Sequence, residues 1–386
     1  MSTTAGSRGG LEGIVAGTSG LCDIDGRSGR LLYCGYDIVE LAEHSCFEET
    51  AYLLWHGELP AADELAALRA RLAEHLDPHP SVWMVASAAP DADPMDVLRT
   101  QVSLLGALDP AVDDNSEAAD GDKSVRLLAQ AGTLVAGSER IRQGLPLVAP
   151  RRDLGLAANL LYMLRGEEAD PEEIRAVDVA LILHAEHGMN ASTFAARVTA
   201  ATLADLHAAV TSAIGALKGP LHGGANERVM ELLVTLRDPD SAATTIREML
   251  AQKRRIMGFG HRVYRTEDPR ATILRRISRS LGERAGELRW YELTRAVERV
   301  VLEEKGLYPN VDLYSASVYT SLGIPRRIFT PLFAASRMAG WTANVIEQHR
   351  DNRLIRPDSD YIGPPPRPYV SLARRRGMAV AGTHPR

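Results

Sequence analysis

The strongest constraint on the fold is leucine recurring at helical spacing, in runs whose beginnings are marked by capping residues. In "ADELAALRARLAEHL", Leu65, Leu68, Leu72 and Leu76 fall on one helical face. "DADPMDVLRTQVSLLGAL" opens with Asp93 as N-cap and Pro94 at the first helical position, where a missing N–H costs nothing. "EADPEEIRAVDVALILHAEHG" repeats the device with Asp170 and Pro171, and Gly188 offers a stop. "SCFEETAYLLWHG" pairs Ser45 with Glu48 as a capping box. Long helical patterns also cover about Lys123–Gln143, Ala271–Glu304 and Arg326–Gln348. Strand signals are confined to "EGIVAGTSGLCDIDGRSGRLLYCG", where Asp25-Gly26 and Ser28-Gly29 can turn a small hairpin. The strand–helix alternation that a parallel sheet requires is absent. The expected fold is therefore mainly α.

Two segments carry more local expectations. "DPAVDDNSEAADGDK" (Asp109–Lys123) is acidic and poor in apolar residues, and reads as an exposed loop. "LHAAVTSAIGALKG" is almost all small or apolar, so it reads as a helix buried on most sides, in a large domain or against a second copy.

With 386 residues the chain has room for two or three domains, and a net charge of −6 gives no footprint for nucleic acid or for anionic membranes. No run of about 18 apolar residues spans a membrane, and "MSTTAGSRGG" lacks a secretory apolar stretch. Cys22, Cys34 and Cys46 form no Cys-x-x-Cys and are odd in number, which argues against a disulfide framework or a thiolate metal site. A reducing, cytoplasmic location is the expectation.

Chemistry has to come from a few scattered residues. In "LKGPLHGGANERV", His222 sits between a Gly-Pro turn and two glycines, before a helix-like run. A helix N-terminus disfavours an added positive charge, so this imidazole is expected to be neutral and able to donate. His187 lies in "HAEHGMNAST", His261 in "IMGFGHRVYRTEDPR" and Asp312 in "YPNVDLYSASVY". Arg270, Arg337 and Arg356 lie in or beside apolar sequence, as arginines that grip carboxylates do. Taken singly, each histidine is as readily structural and each arginine as readily ion-paired. His184 and His187 stand at i and i+3, but no suitably spaced third ligand accompanies them, so no metal is expected.

Taken together, these segments resemble citrate synthase. The likeness runs from "GIVAGTSGLCDIDGRSGRLLYCGYDIVELAEHSCFEETAYLLWHGELP" through "HAEHGMNASTFAARV", "GALKGPLHGGANE" and "IMGFGHRVYRTEDPRA", and on through "YPNVDLYSASVY", "FTPLFAASRMAGW" and "NRLIRPDSDYIGP". It implies condensation of acetyl-CoA with oxaloacetate and hydrolysis of the thioester, with no cofactor beyond the acyl-CoA cosubstrate. By resemblance, Asp312 is the base, His222 the donor to the thioester carbonyl, and His261 the group that polarises the ketone. His187, Arg270, Arg337 and Arg356 match the oxaloacetate clamp, Arg356 reaching the site of a partner subunit. Arg255, Ile256, Met257, Gly258, Phe259, Gly260, Arg262, Arg265 and Asn310 match the coenzyme A contacts.

The resemblance also implies a large helical domain of about 1–222 plus 324–386, an inserted smaller one of about 223–323, and a simple homodimer without the extra N-terminal domain of larger members. Cys34 stands where the family usually has arginine, and Gly188 where many members have an acid. The same chemistry on propionyl-CoA, giving 2-methylcitrate, is the alternative; a non-catalytic helical scaffold is a remote one.

Overall fold

The N-terminal hairpin forms as its turn signals predict. In the computed structural model, which describes residue 11 and residues 13–375, β1 (Cys22–Asp25), β2 (Arg30–Tyr33) and β3 (Tyr36–Asp37) pair antiparallel in that order. Asp25 closes the first turn by accepting from the Arg27 and Ser28 amides at 2.9 and 3.3 Å and from Ser28 Oγ at 2.8 Å. Gly29 takes φ +70°, a value that glycine reaches without strain.

Everything else regular among the described residues is helical. The helices are α1 (Ile38–His44), α2 (Phe47–His56), α3 (Ala62–Glu74), α4 (Val82–Ala88), α5 (Pro94–Leu108), α6 (Glu117–Arg142), α7 (Leu156–Arg165) and α8 (Pro171–His184). They continue as α9 (Ala191–Ala200), α10 (Leu206–Leu217), α11 (Ala225–Leu233), α12 (Pro239–Ala251), α13 (Pro269–Ala285), α14 (Arg289–Lys305), α15 (Val311–Ser321) and α16 (Phe329–Arg350). Short 3-10 turns add Arg326–Ile328 and Leu372–Arg374. None of these helices is long and apolar enough to cross a membrane.

The axis of the fold is α16, buried along nearly its whole length because its sequence is apolar or small on every face. It packs against α2, α6, α8, α9 and α10. The face of α10 carrying Leu206, Ala209, Val210, Ala213, Ile214 and Leu217 is buried, as its composition predicts, while Ala208, Thr211, Ser212, Gly215 and Ala216 stay half-buried. Helices α11 to α15 pack chiefly on one another, α12 on α14 and α13 on α15. Both α13 and α15 also touch α8.

The Asp-Pro starts hold: Asp93 accepts from the Met95 amide and Asp170 from the Glu172 amide, each at 2.8 Å. Leu68, Leu72 and Leu76 are buried as expected and Leu65 half-buried. Three local expectations need correction. Ser45 and Glu48 form no capping box; Asp178 on α8 accepts from the Phe47 amide instead, at 2.9 Å, and Glu48 accepts from the Leu156 amide at the start of α7, at 2.7 Å. A tertiary partner has taken each local role. The acidic stretch before Lys123 is not all loop, since α6 begins at Glu117 and buries Asp120 and Lys123 as an ion pair 3.1 Å apart. The pattern over Ala271–Glu304 is two helices, broken where Gly286 takes φ +65°.

The chain divides after Leu354. In the second unit, the described part from Ile355 onward is mostly exposed; Arg356 pairs with Asp358 at 3.4 Å and Arg375 lies over the Tyr369 ring.

Candidate active site

The site is built around the turn between α8 and α9. Asn190 caps α9, its Oδ1 accepting from the Ser192 and Thr193 amides at 3.1 Å, with Ser192 Oγ 2.8 Å away. The Ser192 amide also reaches His222 Nε2 at 3.2 Å, and Ser192 Oγ lies 2.8 Å from the same nitrogen. An amide N–H can only donate, so Nε2 accepts and the ring's proton sits on Nδ1. Burial pulls the His222 pKa down to about 4, and Arg337 adds to the effect. The neutral ring that the sequence suggests is favoured by burial and by Arg337. Gly223 is needed because a side chain there would run into the Leu217 carbonyl, whereas Gly224 faces open space.

His261 has the opposite tautomer. Its Nδ1 accepts from the Val263 and Tyr264 amides at 3.0 and 3.3 Å, so Nε2 carries the proton. Burial holds its pKa near 4, with Arg270 lowering it further and Asp268 opposing. The His187 ring meets the His261 ring edge-on at 4.9 Å, and Tyr264 joins them with its hydroxyl 3.3 Å from His187 Nε2. Burial, then Arg270, His261 and Arg337, keep His187 well below the usual histidine range.

Two buried guanidinium groups supply the charge. Arg270 is gripped by Asp268 through Nε at 2.9 Å and Nη2 at 2.7 Å. Arg337 donates through Nε to the His184 carbonyl at 2.6 Å and stacks on Phe333. Among the described residues, Arg270 Nη1 and both Arg337 Nη atoms have no hydrogen-bond partner in the protein, and none is a sealed interior atom. Both residues are almost wholly buried, so these N–H groups are left unpartnered inside the protein.

Asp312 is the second residue of α15, whose N-cap Asn310 accepts from the Asp312 amide at 3.1 Å. Burial pushes the Asp312 carboxyl up to about 7; Arg270 and Arg337 pull it down and Asp268 opposes them. Arg337 acts on both His222 and Asp312, and Arg270 on His187, His261 and Asp312. Of the seven catalytic and clamp residues expected, six (His187, His222, His261, Arg270, Arg337 and Asp312) thus lie within one another's electrostatic reach. Arg356 belongs to the second unit and carries its own neighbour, Asp358.

The segment Arg255–Gly260 is strapped to the start of α15. Gly260 N donates to Tyr308 O at 2.9 Å, Asn310 N to Gly258 O at 3.0 Å, and Asn310 Nδ2 to Gly260 O at 3.0 Å. Gly258 has φ +85°, and a side chain there would crowd Val229 at 2.8 Å. Ile256 and Phe259 are buried in the apolar core and Met257 is half-buried, so the segment offers mainly backbone. Arg255, Arg262 and Arg265 are exposed. Cys34 adopts φ +47° with its thiol toward the Leu21 and Leu53 carbonyls, and Gly188 adopts φ +59°.

Sequence reasoning missed Ser192, Tyr264, Asp268 and Glu186. Asp268 had a visible signal, the Asp-Pro start that marks α5 and α8 and here opens α13. The others act by proximity alone. Among the described residues no cluster of His, Cys, Asp or Glu is arranged to hold a metal ion.

The citrate synthase C-terminal domain family matches residues 10–358. Citrate synthase 2 of Bacillus subtilis is 50% identical over 95% of this chain and 98% of its own length. The 2-methylcitrate synthase of Shewanella oneidensis is 42% identical over 95% and 97%. Citrate synthase of Thermoplasma acidophilum, solved as a ternary complex with carboxymethyl coenzyme A and oxaloacetate, superposes with a TM-score of 0.90 at 33% identity, over 95% of this chain and 98% of that one.

Proposed function

This chain belongs to the citrate synthase family, and from that premise we propose how its own residues carry the reaction. The enzyme is an acyltransferase that condenses acetyl-CoA with oxaloacetate and hydrolyses the thioester, releasing citrate and CoA. Asp312 removes a proton from the acetyl methyl group; a carboxyl near pKa 7 suits a base working at neutral pH. His222 donates its Nδ1 proton toward the thioester oxygen as charge builds there, and a neutral donor matches an enol better than an imidazolium would. The enol carbon attacks the oxaloacetate ketone, whose oxygen receives the Nε2 proton of His261. Water then cleaves the citryl thioester.

Arg270 and Arg337 bind oxaloacetate through N–H groups that have no partner in the protein, His187 lies beside them, and Arg356 completes the site of a second copy. Backbone of Ile256–Gly260 lies along the acyl-CoA, with Arg255, Arg262 and Arg265 near its phosphates and Asn310 holding the segment in place. The observation that carries this reading is that backbone amides donate to Nε2 of His222 but to Nδ1 of His261, which leaves opposite ring nitrogens to donate, with burial raising the Asp312 carboxyl toward neutrality.

The same proposal divides the body into a large lobe, 1–222 plus 324–386, and a small lobe, 223–323, which closes over the substrates. The mutual packing of α11 to α15 supports it. A homodimer is supported by the half-buried small-residue face of α10, and a cytoplasmic location by three unpaired thiols.

The test is free-thiol release with oxaloacetate, comparing kcat/KM for acetyl-CoA and propionyl-CoA. The expected result favours acetyl-CoA; one methylene is worth only about 1–3 kcal/mol, so measurable propionyl turnover accompanies it. The 42%-identical methylcitrate synthase keeps the reverse preference as the second reading. No thiol release with either substrate would leave the inert scaffold.

A further inference from the structure

Beneath the clamp lies a carboxyl that no step above uses. Glu186 is fully buried in the turn after α8. Its Oε2 accepts from Asn344 Nδ2 on α16 at 3.1 Å and the His187 and Gly188 amides favour the carboxylate, while Oε1 is sealed in without a well-formed hydrogen bond. Gly340 makes room for it: a side chain at that position would overlap Glu186 Oε2 and the Ala185 carbonyl. Arg337 stands in its field but forms no ion pair with it within 4 Å, in contrast to the bidentate grip of Asp268 on Arg270.

The charged and titratable groups around Glu186 are few. From α16 come Arg337 and Glu347, the latter tied to Arg197 on α9. From the hairpin come Cys22, Cys34 and Tyr33, whose hydroxyl donates to the Glu186 carbonyl oxygen at 2.7 Å. His184 and His187 flank it in sequence, and both are neutral. Arg337 is thus the one nearby cation without a closer carboxylate of its own.

We propose that Glu186 is the exchangeable counter-charge of Arg337, ionised while the clamp is empty and protonated on Oε1 when oxaloacetate binds. This rests on the reading of Arg337 as a clamp residue. Without substrate, the carboxylate offsets a buried guanidinium whose outer N–H groups have no partner. A bound dicarboxylate supplies that compensation from the other side. Glu186 would then be a second anion in a dry interior with one oxygen poorly hydrogen-bonded, and taking a proton from solvent removes that cost. The balance is one dianion and one proton in, with no bond to carbon made or broken. Burial already raises the Glu186 carboxyl to about 7, Arg337 opposing, so the exchange falls in the neutral range.

The test is calorimetric titration of the enzyme with oxaloacetate alone, in buffers of different ionisation enthalpy. At pH 8 we expect uptake approaching about one proton per site, and a Kd that rises about tenfold per unit between pH 8 and 9. Glu186→Gln should bind oxaloacetate without proton uptake and with a flat pH profile, whereas Asp312→Asn should keep the uptake. Binding by the wild-type enzyme with no proton uptake overturns the proposal, whether or not the variant folds. Loss of the uptake in Asp312→Asn also overturns it, by moving the proton to the base. Failure of oxaloacetate to bind at all would instead overturn the clamp.

Discussion

The proposed clamp and the proposed coenzyme segment hold their arginines in opposite ways. Arg270 and Arg337 are buried, and each has a fixed acceptor, the Asp268 carboxylate and the His184 carbonyl. Arg255 and Arg265 stand in solvent on a backbone strapped by Tyr308, Asn310 and Gly26. In the clamp, the folding energy has already oriented the charge, so substrate binding spends little on ordering it. Along the coenzyme segment the backbone is fixed and the charges are left mobile. Buried groups should therefore show large, salt-resistant effects, and exposed ones small, screened effects.

The sharpest test of the buried side is Asp312→Asn. Removing the proposed base should lower kcat by about a thousandfold or more while leaving oxaloacetate binding and Tm close to wild type. In the wild-type enzyme the acid limb should follow the same carboxyl. Its pKa is raised to about 7, so the active, ionised form is lost, and the rate falls, as pH drops through that value. Thiol-release kinetics across pH measure both. A variant with normal kcat would break the contrast at its strongest point.

Next in size is Asp268→Asn, which leaves the Arg270 guanidinium buried without its bidentate partner. Breaking a buried pair from one side costs on the order of 3–5 kcal/mol. The expected result is a clear drop in Tm together with a raised KM for oxaloacetate. Thermal unfolding separates this from Asp312→Asn, whose fold should be intact. An unchanged Tm would mean that the buried charge is compensated by something other than Asp268.

The sequence made the two sides unequally legible. The fold class followed from leucine spacing and from Asp-Pro helix starts, because those effects act over a few residues. The histidines and arginines stood out as residue types in apolar or glycine-rich surroundings, and the family resemblance gave them roles. What holds them did not stand out. Ser192 fixes the His222 tautomer across 30 positions in the chain. Tyr264 reaches His187 across 77, and Asn344 reaches Glu186 across 158. No spacing rule spans such distances. The failed Ser45–Glu48 box shows the same limit from the other direction: a good local signal gave way to Asp178 and to the start of α7.

The smallest effect is expected at Arg265. Its backbone amide donates to Gly26 O at 2.7 Å, so the course of the loop does not depend on the side chain, which is exposed. Arg265→Ala should therefore leave Tm, kcat and the KM for oxaloacetate alone and raise the KM for acyl-CoA about threefold, the scale of one exposed charge contact of about 0.5–1 kcal/mol. Salt supplies the control. At about 0.15 M ionic strength the Debye length is near 8 Å, so added KCl should erode the wild-type advantage at an exposed phosphate contact, until enzyme and variant converge. The buried clamp, shielded from solvent, should lose much less oxaloacetate affinity over the same range. If Arg265→Ala instead lowers Tm or shifts the KM for oxaloacetate as much as that for acyl-CoA, the coenzyme segment is coupled to the clamp through its side chains, and the division between mobile and fixed charge fails.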